Sequence, residues 1–250
     1  MHIESFGDGP DLVLLHGWAM HGGVFAPLAE PLARHFRLHV VDLPGHGWSR
    51  DDATPLEPAA CARAIIAATP PGAWLGWSFG GLIAQRAALD HPDHVRALAL
   101  IAASPRFVAG PGWACGIARD VLAGFAAGLR ADWRHTVDGF LALEVLGSEH
   151  AKAELRELRA HVFGRGAPAL PALLEGLAIL DAVDLRGELP RLAVPSLWIA
   201  GRRDRLIPPA AMRWSAGVAP GGRYLELDGG HAPFIAHAGD ITAALHGIAA

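Results

Sequence analysis

The chain has 250 residues, 52% hydrophobic and 18% charged, a balance that excludes long disorder because segments stay unfolded when apolar residues are scarce and charge is plentiful. A net charge of −4 provides no overall basic field for a polyanion, so nucleic-acid binding is not expected. Cys61 and Cys115 are too few and too far apart for a disulfide framework or a thiolate zinc site, and the expected setting is reducing and cytoplasmic.

Residues 1–8 offer neither the basic stretch nor the apolar core of an export signal. Residues 12–15 and 38–42 are short apolar runs, the first ending in His16-Gly17 and the second in Pro44-Gly-His-Gly47. Both read as buried strands followed by loops. Residues 64–85 carry no charge and are long enough to span a bilayer, but Pro70-Pro71-Gly72 and Gly76, Gly80 and Gly81 break the run. It reads as two buried elements joined by a turn, a strand at 73–76 and a helix at 82–89, so no membrane contact is expected. Further strands are expected at 97–102, 196–200 and 223–227. Strands alternating with helices require crossovers, which gives an α/β fold with a mainly parallel sheet flanked by helices. Between 104 and 185 the alternation yields to helix-type stretches at 120–129, 133–146 and 151–163. The expected organisation is a core of residues 1–104 and 186–250 with a helical cap, 105–185, inserted into it.

Gly76-Trp-Ser78-Phe-Gly80 places a serine between a strand and a helix, in the pattern G-x-S-x-G. A nucleophile at such a turn has strained backbone, and its neighbours two residues away must be small enough to clear adjoining elements. Serine is a weak nucleophile at neutral pH and needs a base that a carboxylate orients. Asp204 follows the strand at 196–200 and His231 the strand at 223–227, so the order is Ser, Asp, His, each just beyond a strand end. Asp228 is the rival acid, but it lies three residues before His231 on the same turn. The amide of Phe79, at a helix N-terminus, and that of Trp18, in the loop after the first strand, are the expected oxyanion donors. His16 is expected to brace that loop. The chain lacks the two histidines with an intervening glutamate of a zinc hydrolase, and neither a metal nor a cofactor is expected.

His16-Gly-Trp18, Asp42-Leu-Pro-Gly-His-Gly47, Gly76-Trp-Ser-Phe-Gly-Gly81, Phe140-Leu-Ala-Leu143, Asp181-Ala-Val-Asp-Leu185 and Gly229-Gly-His-Ala-Pro-Phe234 together resemble the pimeloyl-acyl-carrier-protein methyl ester carboxylesterases of biotin synthesis, within the α/β-hydrolase superfamily. The resemblance runs nearly end to end. It implies Ser78 as nucleophile with Asp204 and His231 as partners, and Trp18, Ser78, Phe79, Phe140, Leu141, Ala142, Leu143, Glu144 and His231 as substrate contacts. It also implies an acidic acyl carrier protein as partner, met by basic residues on the cap. Lys152, Arg156 and Arg159 fall at i, i+4 and i+7 along one helical stripe, with Glu154 and Glu157 on the far side. Where the family has two further arginines before Phe140, this chain has His135 and Gly139, with Arg134 adjacent as a substitute. The alternatives are a carboxylesterase or lactonase for small free esters, and a ligand receptor on a hydrolase scaffold. An aspartate nucleophile, as in dehalogenases and epoxide hydrolases, is excluded by serine at position 78.

Overall fold

The computed structural model describes residues 1–249. Strands β1 (His2–Phe6), β2 (Asp11–Leu15), β3 (Arg37–Asp42), β4 (Gly72–Trp77), β5 (Val95–Ile101), β6 (Ser196–Gly201) and β7 (Gly222–Leu227) form one sheet in the order β1-β3-β2-β4-β5-β6-β7. Every neighbouring pair is parallel except β1 with β3. Leu12, Val13, Leu14 and Leu15 of β2 and the whole of β4 are buried, the continuous apolar run that a parallel strand covered on both faces requires. β1 was not expected. It has no apolar block, and it forms by adding antiparallel to the edge strand β3.

Helices α1 (Ala26–Ala33), α2 (Pro58–Ile66) and α3 (Phe79–Asp90) connect the earlier strands; α4 (Arg119–Glu144), α5 (Ala151–Val162) and α6 (Leu170–Ala182) lie between β5 and β6; α7 (Pro209–Val218) follows β6 and α8 (Ala238–Ala249) follows β7. The two helical stretches expected at 120–129 and 133–146 are the two halves of α4, separated by a kink at Asp132, whose backbone leaves the helical region at φ −152°, ψ 92°. Its Oδ1 accepts the His135 N–H at 3.1 Å, so Asp132 caps the second half as an N-cap residue does.

The helical excursion is seated on the sheet by specific bonds. The Trp18 indole N–H donates to the Leu173 carbonyl at 2.9 Å, and the Ala169 N–H to the Gly45 carbonyl at 2.8 Å. Arg165 pairs with buried Asp42 at 3.2 Å and with Glu4 at 2.7 Å, its guanidinium stacked 3.9 Å over Trp48. Because β2 to β7 share one direction, their C-terminal ends open on one edge, where ligand sites of open parallel sheets form. The loops after β2, β4, β6 and β7, carrying His16, Ser78, Asp204 and His231, therefore meet beneath α4 to α6. Among the described residues no helix is long and apolar enough to cross a membrane.

Candidate active site

Ser78 occupies the step from β4 into α3 with φ +52° and ψ −119°, a conformation that costs a non-glycine residue about 1–3 kcal/mol. The surroundings enforce it. Its N–H donates to the Ile101 carbonyl at 3.0 Å, and its carbonyl accepts the Gly81 N–H at 2.9 Å. A Cβ on Gly76 would lie 2.6 Å from the Gly81 Cα, and one on Gly80 2.6 Å from the His16 carbonyl oxygen, so the spacing of the pentapeptide is a steric requirement of the turn.

The Ser78 hydroxyl is 2.8 Å from His231 Nε2, and His231 Nδ1 is 2.8 Å from Asp204 Oδ2. The second carboxylate oxygen of Asp204 accepts the N–H groups of Leu206 and Ile207 at 2.8 and 2.9 Å, which fixes the plane it presents to the imidazole. Trp77 donates its indole N–H to the His231 carbonyl at 2.9 Å, tying the His231 loop to β4. Ser78, Asp204 and His231 are all buried. Asp228, the rival acid, faces away and pairs with Arg203 at 2.9 Å.

Phe79 is the first residue of α3, so its N–H has no intrahelical acceptor. Trp18 precedes Ala19, whose φ of +63° turns the loop after β2. His16 sets this loop's shape: Nε2 accepts the Leu43 N–H at 2.9 Å, which puts the ring proton on Nδ1, where it donates to the Gly17 carbonyl at 2.8 Å. That pattern needs a neutral imidazole, and burial beside His46 lowers His16 to about 3.

The segment assigned to acyl contacts divides by helical period. The Phe140 ring meets Trp18 edge-on at 4.8 Å and Phe125 at 5.6 Å, and Leu141 is buried, whereas Leu143 is half-buried and Ala142 is turned to solvent away from the others. Glu144 is buried, with both carboxylate oxygens unpartnered; burial, reinforced by the charge of Asp204, raises its carboxyl well above the usual range. Its main-chain carbonyl accepts the N–H of His231 at 2.8 Å. Neither contact is legible in the sequence, because each depends on the path of α4 across the sheet edge.

On α5, Lys152, Arg156 and Arg159 are exposed and line a groove of about 430 Å³, while Glu154 is buried and held by the Ser148 hydroxyl at 2.7 Å. Arg159 differs from the other two. Its guanidinium grips Asp138 of α4 through two bonds of 2.6 Å, so its charge is neutralised locally. Arg134 lies over the rings of Trp133 and Phe163, at 5.1 and 5.8 Å. Lys152 and Arg156 make no ion pair among the described residues. Burial pushes the Cys61 thiol up to about 12, which makes it inert at neutral pH. Among the described residues no cluster of histidine, cysteine and acidic side chains is placed to hold a metal.

The model of the alpha/beta hydrolase fold family matches residues 10–136. A protein of Xanthomonas campestris pv. campestris named pimeloyl-(acyl-carrier protein) methyl ester esterase is 56% identical over 98% of this chain and 97% of its own length. One of the same name from Stenotrophomonas maltophilia is 57% identical over 98% of this chain and 95% of its own. Among solved structures, an esterase from Exiguobacterium antarcticum superimposes with a TM-score of 0.88 at 24% identity, covering 98% of this chain and 94% of its own. An enol-lactonase from Burkholderia xenovorans gives 0.85 at 24%, covering 99% and 95%. At that identity the structural likeness speaks for the fold alone.

Proposed function

The chain belongs to the α/β-hydrolase fold family and, within it, to the pimeloyl-(acyl-carrier protein) methyl ester esterases, and from that membership we propose that it is a serine esterase that frees methanol from the methyl ester of a pimeloyl group borne on acyl carrier protein. The observation that carries the reading is the unbroken chain of 2.8 Å contacts from Ser78 through His231 to Asp204, on a sequence 56% identical to esterases of that name. His231 Nε2 takes the Ser78 proton as Oγ attacks the ester carbonyl, while Asp204 holds the ring tautomer and supports the imidazolium. The N–H groups of Phe79 and Trp18 hold the oxyanion, each contributing on the order of 10²–10³ to turnover. His231 then protonates the departing methoxide, and water repeats the sequence to release the acid. No cofactor enters this cycle.

Phe140, Trp18 and Leu141 form the apolar wall for the acyl chain, each buried methylene contributing about 0.8 kcal/mol. The carrier meets the exposed face of α5, with Lys152 and Arg156 as the free cations; Arg134 adds a cation at the far end of α5, by Phe163, and Arg159 contributes less because Asp138 holds it. We place the reaction in the cytoplasm, with its carrier. Reversing both charges, Lys152→Glu with Arg156→Glu, is expected to raise KM for the carrier-borne ester about tenfold and to leave a short aryl ester unaffected, because rim charges steer encounter more than they position chemistry. Equal effects on the two substrates would remove the docking claim. The reading as a whole is tested by introducing the gene into a biotin auxotroph lacking its own pimeloyl methyl esterase. Growth is expected; failure to grow, with hydrolysis of short aryl esters retained, would assign the triad to small free esters.

A further inference from the structure

The catalytic base is held from a direction that the triad does not use. The last turn of α4 reaches over the sheet edge, and its Glu144 carbonyl, which has no partner within the helix, accepts the His231 N–H at 2.8 Å. Gly230 is seated so closely beneath that a Cβ there would lie 2.7 Å from the same oxygen. Three residues on, the turn between α4 and α5 meets Arg203, the residue before Asp204. Arg203 Nη1 donates to the Gly147 carbonyl at 3.1 Å, and Nη2 donates to Asp228 at 3.0 Å and to Glu149 at 2.9 Å. Its main-chain N–H donates to the Gly229 carbonyl at 2.9 Å. Gly147 allows the approach by its φ of +88°, its Cβ position lying 3.2 Å from the Arg203 Cβ.

One residue thus bridges three loops: that of the triad acid, to which it belongs; that of the base, through its side chain on Asp228 and its main-chain N–H on Gly229; and the α4–α5 turn, through its side chain on Gly147. The Glu149 and Asp228 legs are both exposed and, as ion pairs, contribute little energy; what they supply is a fixed position. Geometry is the stronger argument, since a planar guanidinium with donors in a fixed fork sets the relative position of its acceptors, which a flexible ammonium does not. Misplacing a catalytic group by about 1 Å is enough to lose on the order of 10²-fold in rate.

We propose that Arg203 is a positioning residue for the esterase reaction, locking the α4–α5 turn onto the loops of Asp204 and His231 so that the seating of α4 sets the geometry of the base. The proposal rests on the esterase reading above. Arg203→Gln is expected to lower kcat for a short aryl ester about tenfold, with KM within twofold. Arg203→Lys restores part of the loss, and Asp228→Asn lowers kcat in the same direction, the double variant falling short of the product because both break one bridge. Independently of turnover, amide exchange at His231 speeds up about tenfold in Arg203→Gln, because its bond to Glu144 opens more often. A merely electrostatic role predicts that removing the cation and removing the anion act with opposite signs. Opposite signs, or lowered thermal stability with kcat and His231 exchange both unchanged, would overturn the proposal. A wild-type chain without ester turnover would count against the esterase reading, and the exchange measurement would still decide whether the bridge holds His231.

Discussion

Ser78→Ala is expected to lower kcat by about 10⁵–10⁶ while leaving the fold intact, and Asp204→Asn by about 10⁴. The two losses differ in origin. Without the hydroxyl no acyl-enzyme forms, and turnover falls to what the oxyanion donors and binding supply. With asparagine at 204 the geometry survives, but an amide that donates to His231 Nδ1 leaves the ring proton on Nε2, where it cannot accept from Ser78. Wild-type protein should be labelled stoichiometrically by an organophosphate at Ser78, and Ser78→Ala not at all. Steady-state kinetics with intact-mass analysis reads both. Retained turnover in Ser78→Ala would require a different nucleophile, and among the described residues no other serine or cysteine hydrogen-bonds to His231.

The parts of this site that the sequence discloses are those fixed by local constraints. The strand before Ser78, the glycines at 76 and 80 and the helix after it satisfy one steric condition within five residues. Asp204 is legible for a related reason, because it stands just past the buried apolar run of β6, and His231 because it follows β7, a half-buried strand in which Tyr224, Leu225 and Leu227 are interspersed with charge. What escaped the sequence reading lies between elements whose relative path is set by packing. β1 lacks an apolar run and exists because β3 offers an open edge. Arg159 sits on a legible basic stripe, but Asp138 reaches it from a different helix, and charge spacing along α5 is silent about that. Glu144 resembles a position in an acyl-contact segment, yet its carboxyl is sealed beside Asp204 and its carbonyl serves the His231 backbone. Periodicity assigns a residue to a face of its own helix, and only the crossing of α4 over the sheet decides what that face meets.

Three buried groups near the site give the protein's stability an unusual pH dependence. His16 and His46 are neutral when folded, lowered to about 3 and about 4 chiefly by burial, against about 6.5 in an unfolded chain. Below pH 6.5 the unfolded state takes up protons that the folded state refuses, so stability present above that pH is lost as pH falls towards the folded values. At pH 5 each imidazole costs about 2 kcal/mol relative to pH 8, about 4 kcal/mol together, against a typical total of about 5–15 kcal/mol. His21 and His94, lowered in the same direction, add to the same window. Glu144 opposes them. Its carboxyl is raised well above the usual range in the folded protein, so the fold holds that proton where the unfolded chain releases it, and Glu144 withdraws stability as pH rises above about 4.5 and partly masks the histidine effect in the wild type. Glu144→Gln should therefore stabilise the protein at pH 8 more than at pH 4.5. In that background the unfolding free energy should fall by at least about 4 kcal/mol between pH 8 and pH 5. Adding His46→Asn, whose amide can replace the 2.9 Å bond to the Pro44 carbonyl, should remove about 2 kcal/mol of that fall. Urea unfolding at several pH values measures all three. A stabilisation by Glu144→Gln that is the same at every pH would mean that Glu144 ionises as freely folded as unfolded. A flat profile in that variant would mean that the two imidazoles accept protons inside the fold without penalty.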